Sequence, residues 1–365
     1  MIVNYDESIL TYIASIRKYY GLDSSFDSNE YFDNYLNDNK PKRIFLLLID
    51  GMGYNLVVNK LKDDSFLKKN ILYKTTTVFP TTTTSATTSI QNGKAPNENA
   101  WLGWCQYFKE KDDVIIPFLN IGYYNEHKYE KDFSYKAISV DTTVNELNRL
   151  NKKARILFPS FMEDGCKYFD EMCERLKKYS QAKEYDYIYA YWDGYDSLMH
   201  EFGPSSNQSN AYIEEIDNRL KKLSEELDEE TLLVVTADHG QIDVEEYIDL
   251  YPSFEKYFVH DPSLDIRTQA YFVKDELKDE FEKVFKNKYE DDFILLTHDQ
   301  VLASNLFGPK DNHPRFEEFI GDFVSISKSK KSFVYSKYGK PNMFKGQHSG
   351  MLEDELYIPI IAYKK

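Results

Sequence analysis

Three observations predict an α/β fold. From Lys42 onward, short apolar runs rich in branched residues alternate with helical patterns, the signature of a sheet covered by helices. The 365 residues suffice for one large domain or about two smaller ones, because single cores stop growing near roughly 250–300 residues. The residues able to do chemistry fall just after the apolar runs, where open α/β sheets bind their ligands.

Residues 1–40 are acidic and rich in Asn and Asp, and Ile9, Tyr12, Ile13, Ile16 and Tyr20 keep a helical period. One amphipathic helix is expected there ahead of a polar linker, packed as a leader on a main domain of residues 41–365. Strands are expected at Arg43–Ile49, Ile71–Val78, Arg155–Pro159, Tyr185–Trp192 and Thr231–Thr236. Helices are expected at Tyr54–Lys62, Thr84–Gln91, Gly165–Tyr179 and Gln208–Leu227. Between about Asp243 and Lys345 the pattern changes to a strand-like Ile266–Val273 and a charged helix over about Glu276–Lys286. This stretch reads as a cap inserted into the main domain, since Gly346–Gly350 returns to site-like residues and Leu356–Ala362 to a strand.

Composition narrows the partners. Lys and Arg total 45 against 61 Asp and Glu, a formal charge of −16, which excludes a surface built to collect the phosphates of a nucleic-acid polymer. A small phosphorylated substrate stays compatible, since bound cations dominate the field of a site whatever the net charge. Cys105, Cys166 and Cys173 are odd in number and lack CxxC spacing, so reduced thiols are expected and no disulfide framework. Asp6 and Glu7 stand where a signal peptide carries positive charge, and the longest apolar run, Ile44–Ile49, is too short to span a bilayer. A cytoplasmic protein without membrane attachment is expected; oligomeric state is not encoded in any readable pattern.

Four strand ends converge on one chemistry. RIFLLLI ends in Asp50-Gly51, the strand reaching Val78 runs into FPTTTTSATTS, YDYIYAYW leads to DGYDSLMH, and TLLVVTA ends in Asp238-His239-Gly240. Each has a bland reading: Asp50 as a turn or cap residue, Asp196 and His200 as a surface pair four apart on a helix, Asp238-His239-Gly240 as a turn, His348 as a structural histidine. Jointly they supply Asp oxygens and His nitrogens without thiolates, a set suited to zinc or another divalent first-row ion. Asp50, Asp196, His200, Asp238, His239 and His348 exceed the needs of one tetrahedral ion, and two ions about 4 Å apart clamp the attacking and leaving oxygens of a phosphoryl group. A threonine of the Thr81–Thr84 run would supply the nucleophilic hydroxyl, with the N–H groups of the helix that follows holding the phosphate.

These residues resemble the type I phosphodiesterase/nucleotide pyrophosphatase family of the alkaline phosphatase superfamily. The resemblance rests on LLLIDGMG, VFPTTTTSATTSIQNGKAP, DSLMHEFGP, TADHGQ and GQHSGMLEDELYIPII, in the family's order, with weaker similarity in IRTQAYFVK, NLFGP and FIGDFVSIS. It implies a mixed β-sheet sandwiched between helical layers and a site holding two zinc ions. Asp50, Asp238 and His239 would hold one ion with the nucleophile, and Asp196, His200 and His348 the other. Counting back from Gly93 puts the nucleophile on Thr83, with Thr82 the runner-up. The sequence departs from the nucleotide-cleaving members where an asparagine contacts phosphate: the aligned residue is Trp104, which would then face substrate, and the preceding histidine–glycine pair is Asn99-Ala100. No CxPxR-type motif is present, which disfavours a sulfatase.

The activity implied is hydrolysis of a phosphodiester or pyrophosphate bond of a small, nucleotide-like molecule through a phosphothreonine. A phosphomonoesterase or phosphonate hydrolase would use the same metal set, and a monoesterase would add basic residues near it, for which Arg267 and Lys345 are candidates. An inactive phosphate- or nucleotide-binding protein is the rival from another class.

Overall fold

A computed structural model describes residues 3–365. The chain opens with two helices, α1 (Ile9–Tyr19) and α2 (Glu30–Asn39). The second occupies the stretch expected to be a polar linker. Its Asn and Asp residues mark a surface face, while Phe32 and Leu36, four apart, are buried, and the Asn29 side chain caps the Phe32 N–H.

β1 (Arg43–Ile49) leads through α3 (Tyr54–Lys60) to β2 (Ile71–Thr76), then α4 (Thr83–Asn92). Further on come β3 (Ala154–Leu157), α5 (Phe169–Ala182), β4 (Tyr187–Trp192), α6 (Gly194–Phe202), α7 (Asn207–Glu226) and β5 (Thr231–Thr236). Residues 243–345 contain β6 (Phe258–Leu264), β7 (Thr268–Val273), α8 (Lys278–Tyr289), β8 (Phe293–Thr297) and β9 (Phe323–Ser327), and β10 (Tyr357–Lys364) closes the chain.

The main sheet has the order β2-β10-β5-β1-β4-β3. β1 pairs parallel with β4 and β5, and β4 with β3, whereas β10 runs antiparallel between β5 and β2, so the sheet is mixed. β1, β4 and β5 are buried along their whole length, which is why they read as unbroken apolar runs and not as alternation. The register matters most for function: Ile49 stands opposite Trp192 and Leu48 opposite Thr236, so three strands stop level and release the chain at one edge.

A second sheet, in the order β6-β7-β9-β8, is antiparallel throughout. It has its own aromatic core, in which Phe281, Phe285 and Tyr289 of α8 pack with Phe258, Tyr271 and Phe293. Among the described residues no helix is long and apolar enough to cross a membrane.

Candidate metal centre and nucleophile

The level ends of β1 and β5 bring Asp50 and Asp238 together. Gly51, at φ 72°, turns the chain immediately after Asp50, and its N–H donates to Asp238 Oδ1 at 3.1 Å. A side chain at position 51 would be strained by that φ and would lie 2.8 Å from Met199 and 3.1 Å from an Asp196 oxygen, so the glycine is required by conformation and by space. His239 follows Asp238 and is wholly buried; its Nε2 lies 3.4 Å from Asp50 Oδ1 and 3.6 Å from Asp238 Oδ2.

On α6 the spacing of four puts Asp196 and His200 on one face, with His200 Nε2 3.1 Å from Asp196 Oδ2. His348 approaches from the loop before β10, its Nε2 3.9 Å from Asp196 Oδ1 and its ring 3.8 Å from that of His239. All six residues expected as ligands therefore gather at one rim. Two triplets close to within 4.8 Å, Asp50–Asp238–His239 and Asp196–His239–His348, with His239 common to both and His200 joined to the second through Asp196.

Two features fit this cluster to cations. Each histidine directs Nδ1 at a backbone carbonyl: His200 at Gly346, His239 at Gly240 and His348 at Thr81, at 2.8, 3.0 and 3.0 Å. An Nδ1–H donating to a carbonyl leaves Nε2 with its lone pair free, the tautomer a metal takes. Asp50 Oδ1 and Asp238 Oδ2 are buried without any hydrogen-bond donor, although their partner oxygens are satisfied. Buried acceptors of this kind are costly unless something positive meets them.

Burial and the surrounding charges shift these groups from their ordinary values. Burial, then the neighbouring Asp238 and Asp196 charges, pushes Asp50 well above the carboxylate range, and burial followed by Asp196 brings Asp238 up to about 7. Burial holds His239 down near 3 and His348 well below its ordinary value. For Asp196, burial pushes upward but is outweighed by His200, His348 and Gln241, which keep it low.

The threonine run sorts itself by environment. Thr81, Thr82 and Thr84 are fully buried, whereas Thr83 is half-buried. Thr81 donates to the Gly350 carbonyl at 2.9 Å and Thr82 to Asp265 at 2.7 Å. Thr83 Oγ1 alone faces the cluster, 3.4 Å from Asp50 Oδ2 and 3.3 Å from His239 Nε2. It is also the first residue of α4, one position earlier than the helix expected from the sequence, and no side chain caps that helix. Its leading N–H groups are left open beside the hydroxyl, where an anion is stabilised.

Trp104 is not brought into the cluster by any hydrogen bond or ring contact; it is 37 % exposed and lies next to Cys105, which bridges to Leu264. Arg267, expected as a possible phosphate contact, is instead turned inward. It is fully buried, binds Glu355 through two N–H groups at 2.8 and 2.9 Å, and reaches the carbonyls of Ser329 and Lys331. Lys345 lays its ammonium 6.0 Å from the Phe202 ring centroid.

Sequence reasoning missed three neighbours. The Tyr191 hydroxyl donates to Asp50 Oδ2, and Gln241 donates to Asp196 Oδ1. Asp265 accepts from Thr82. Gln241 follows the Asp238-His239-Gly240 motif and could have been found by adjacency; Tyr191 looked like any buried strand residue, and Asp265 carried no signal at all.

The model of the type I phosphodiesterase/nucleotide pyrophosphatase family matches residues 104–351. Among solved structures, murine ectonucleotide pyrophosphatase/phosphodiesterase 5 superposes with a TM-score of 0.67 at 16 % identity, over 88 % of each chain. Phosphonoacetate hydrolase from Sinorhizobium meliloti 1021 superposes with a TM-score of 0.63 at 14 % identity, over 88 % of this chain and 90 % of that one. GPI ethanolamine phosphate transferase 3 from Eremothecium gossypii is 32 % identical over 65 residues, which is 18 % of this chain and only 6 % of that protein.

Proposed function

The chain belongs to the type I phosphodiesterase/nucleotide pyrophosphatase family, a family of phosphodiester hydrolases, and on that premise we propose that it cleaves a phosphodiester or pyrophosphate bond of a small molecule at a site for two zinc ions. The observation that carries this reading is the pair of buried, donor-less oxygens, Asp50 Oδ1 and Asp238 Oδ2, converging with three Nε2 atoms beside the Thr83 hydroxyl. Asp50, Asp238 and His239 would hold one ion, and Asp196, His200 and His348 the other. When bound, the two cations neutralise phosphate charge and lower the pKa of a nearby hydroxyl.

Thr83 is the nucleophile. Its oxygen attacks phosphorus in line, its proton passes to solvent, and the bond to the leaving oxygen breaks with the electron pair departing on that oxygen. A water then displaces the phosphoryl group from Thr83 and restores the free hydroxyl. The open N–H groups at the start of α4 hold the non-bridging oxygens. With Arg267 committed to Glu355, a monoesterase lacks one of the two basic groups it would use on a dianion, so the diester is the better substrate. The three free, buried thiols suit a reducing, cytoplasmic setting.

Metal analysis of the purified protein, with hydrolysis of bis-p-nitrophenyl phosphate and p-nitrophenyl phosphate before and after chelation, tests this reading. Two zinc ions and chelator-sensitive diester cleavage are expected; preference for the monoester would move the assignment to a phosphatase. Thr83→Ala is expected to lower metal-dependent cleavage by roughly 10³-fold or more with metal retained, and Thr82→Ala far less. Full activity in both variants would remove the threonine mechanism.

A further inference from the structure

The leader ahead of β1 touches the run that carries the proposed nucleophile. Tyr5 is 5 % exposed and its ring stacks on Phe26 at 6.2 Å. Its hydroxyl donates to the Leu306 carbonyl at 3.0 Å and accepts the Phe79 N–H at 3.4 Å. One oxygen thus joins the leader, the turn that feeds the threonine run and the 243–345 segment. Burial holds that hydroxyl well above its ordinary pKa, so it keeps its proton and can donate and accept at once.

Pro80 has no N–H, so Phe79 carries the last backbone donor before Thr81. Past Pro80 the run is fixed by other parts of the chain: Thr81 donates to the Gly350 carbonyl and accepts the Ser349 N–H at 3.1 Å, and Thr82 is bound to Asp265. On the Phe79 side the polar tie is Tyr5, with the Phe79 ring meeting Phe307 edge-on at 5.6 Å. The leader also brackets the run. Ser8 bridges to Thr76 at the end of β2, and Arg17 closes on the far end of α4, where a Cβ on Gly93 would lie 2.8 Å from Arg17 Cδ. Arg17 is anchored in turn to Glu146 and Thr143, at 2.8 and 2.9 Å.

An in-line attack is sensitive to ångström-scale misplacement of the attacking oxygen, even when the cause lies away from the chemistry. A buried N–H that loses its acceptor stays desolvated at a cost, or its backbone moves to find another partner. We infer that Tyr5 is a positioning residue for Thr83: by pinning Phe79 to Leu306 and to the leader, it holds the threonine run in place against the metal cluster, and the leader works as a strap across the nucleophile helix. Tyr5 acts only through Phe79, four residues before the hydroxyl that reacts. This inference rests on the hydrolase reading, with Thr83 as its nucleophile.

The test compares Tyr5→Phe, which keeps the ring and removes the hydroxyl, with Ile16→Val, which loosens buried packing elsewhere in α1 and leaves the hydroxyl in place. Hydrolysis of bis-p-nitrophenyl phosphate gives kcat and KM, metal analysis gives occupancy, and amide hydrogen exchange reads residues 79–85. Tyr5→Phe is expected to lower kcat about tenfold with KM within about twofold and metal content unchanged, and to speed exchange across residues 79–85 about tenfold while β5 exchanges as before. Ile16→Val is expected to lower the melting temperature with kcat within about twofold of wild type. If Tyr5→Phe leaves kcat within about twofold, loses activity through KM or through lost metal, or leaves exchange unmoved, or if Ile16→Val loses kcat equally, the positioning role is overturned and the hydrolase reading stands. If the wild type cleaves no diester, the hydrolase reading falls, and exchange alone decides the strap: faster exchange confined to residues 79–85 in Tyr5→Phe supports its hold on the run, and unchanged exchange overturns it.

Discussion

The tyrosine at position 191 shows how much a single side chain can set. Asp50 has two oxygens and only one is free, because Tyr191 donates to Oδ2 and leaves Oδ1 without a donor. Removing that hydroxyl lets the carboxylate rotate and mixes the two roles. Tyr191→Phe is therefore expected to weaken metal affinity by about 10–100-fold, measured by competition with a chromogenic chelator, with the fold intact by circular dichroism. An unchanged affinity would mean that the register of β1 against β4 alone orients Asp50. The sequence singled out Asp50 because it ends an apolar run before a glycine, but nothing distinguished Tyr191 from the core tyrosines around it, since which buried hydroxyl meets a carboxylate depends on the neighbouring strand.

Among the elements, α4 and α2 illustrate opposite limits. For α4 the sequence indicated a helix from Thr84, yet it starts at Thr83, and the Thr82 hydroxyl at its N-cap is given to Asp265, a residue far along the chain, so no side chain closes that end. For α2 the high Asn and Asp content masked a helix whose buried positions are few. α1 and α2 are tied by Lys18 and Asp33, which lie 2.6 Å apart. Burial pushes the Asp33 carboxyl upward, but Lys18, Ser28 and Ser15 outweigh it and leave the group below its ordinary value. A carboxylate lowered on folding stabilises the folded chain above the unfolded pKa of about 3.9, and that contribution disappears as pH falls through the folded value. Asp33→Asn is expected to cost roughly 0.5 kcal/mol at pH 7, given the exposure of Lys18, and less near pH 2.5, where the carboxylate is losing its charge. Urea midpoints at the two pH values check this, and an equal cost at both would assign the effect to the lost side-chain hydrogen bonds instead of the charge.

Across the whole molecule, the buried pair Arg267–Glu355 joins the 243–345 segment to the loop that carries His348. Glu355 also accepts the N–H groups of Gly350 and Leu352, at 2.8 and 3.1 Å, so one carboxylate fixes both the second sheet and the approach to the metal cluster. Arg267→Met strands that charge and is expected to cost about 3–5 kcal/mol in chemical denaturation, whereas Arg267→Met with Glu355→Leu should recover much of the loss. If the single substitution proved neutral, the pair would not be what couples the two parts. Metal content of the double variant reports separately on His348, whose loop loses its anchor in either case.

The sequence by itself determined the α/β class, the runs that become the central strands, and the placing of carboxylates, imidazoles and threonines just beyond them, because these follow from local periodicity and from where a sheet ends. Only the tertiary structure decided which partners meet: Tyr191 on Asp50, Gln241 on Asp196, Asp265 on Thr82, three carbonyls on three histidines, and Arg267 turned to Glu355 and away from the site. Such contacts join residues distant in the chain, and no periodicity within a segment encodes which distant segment will lie against it.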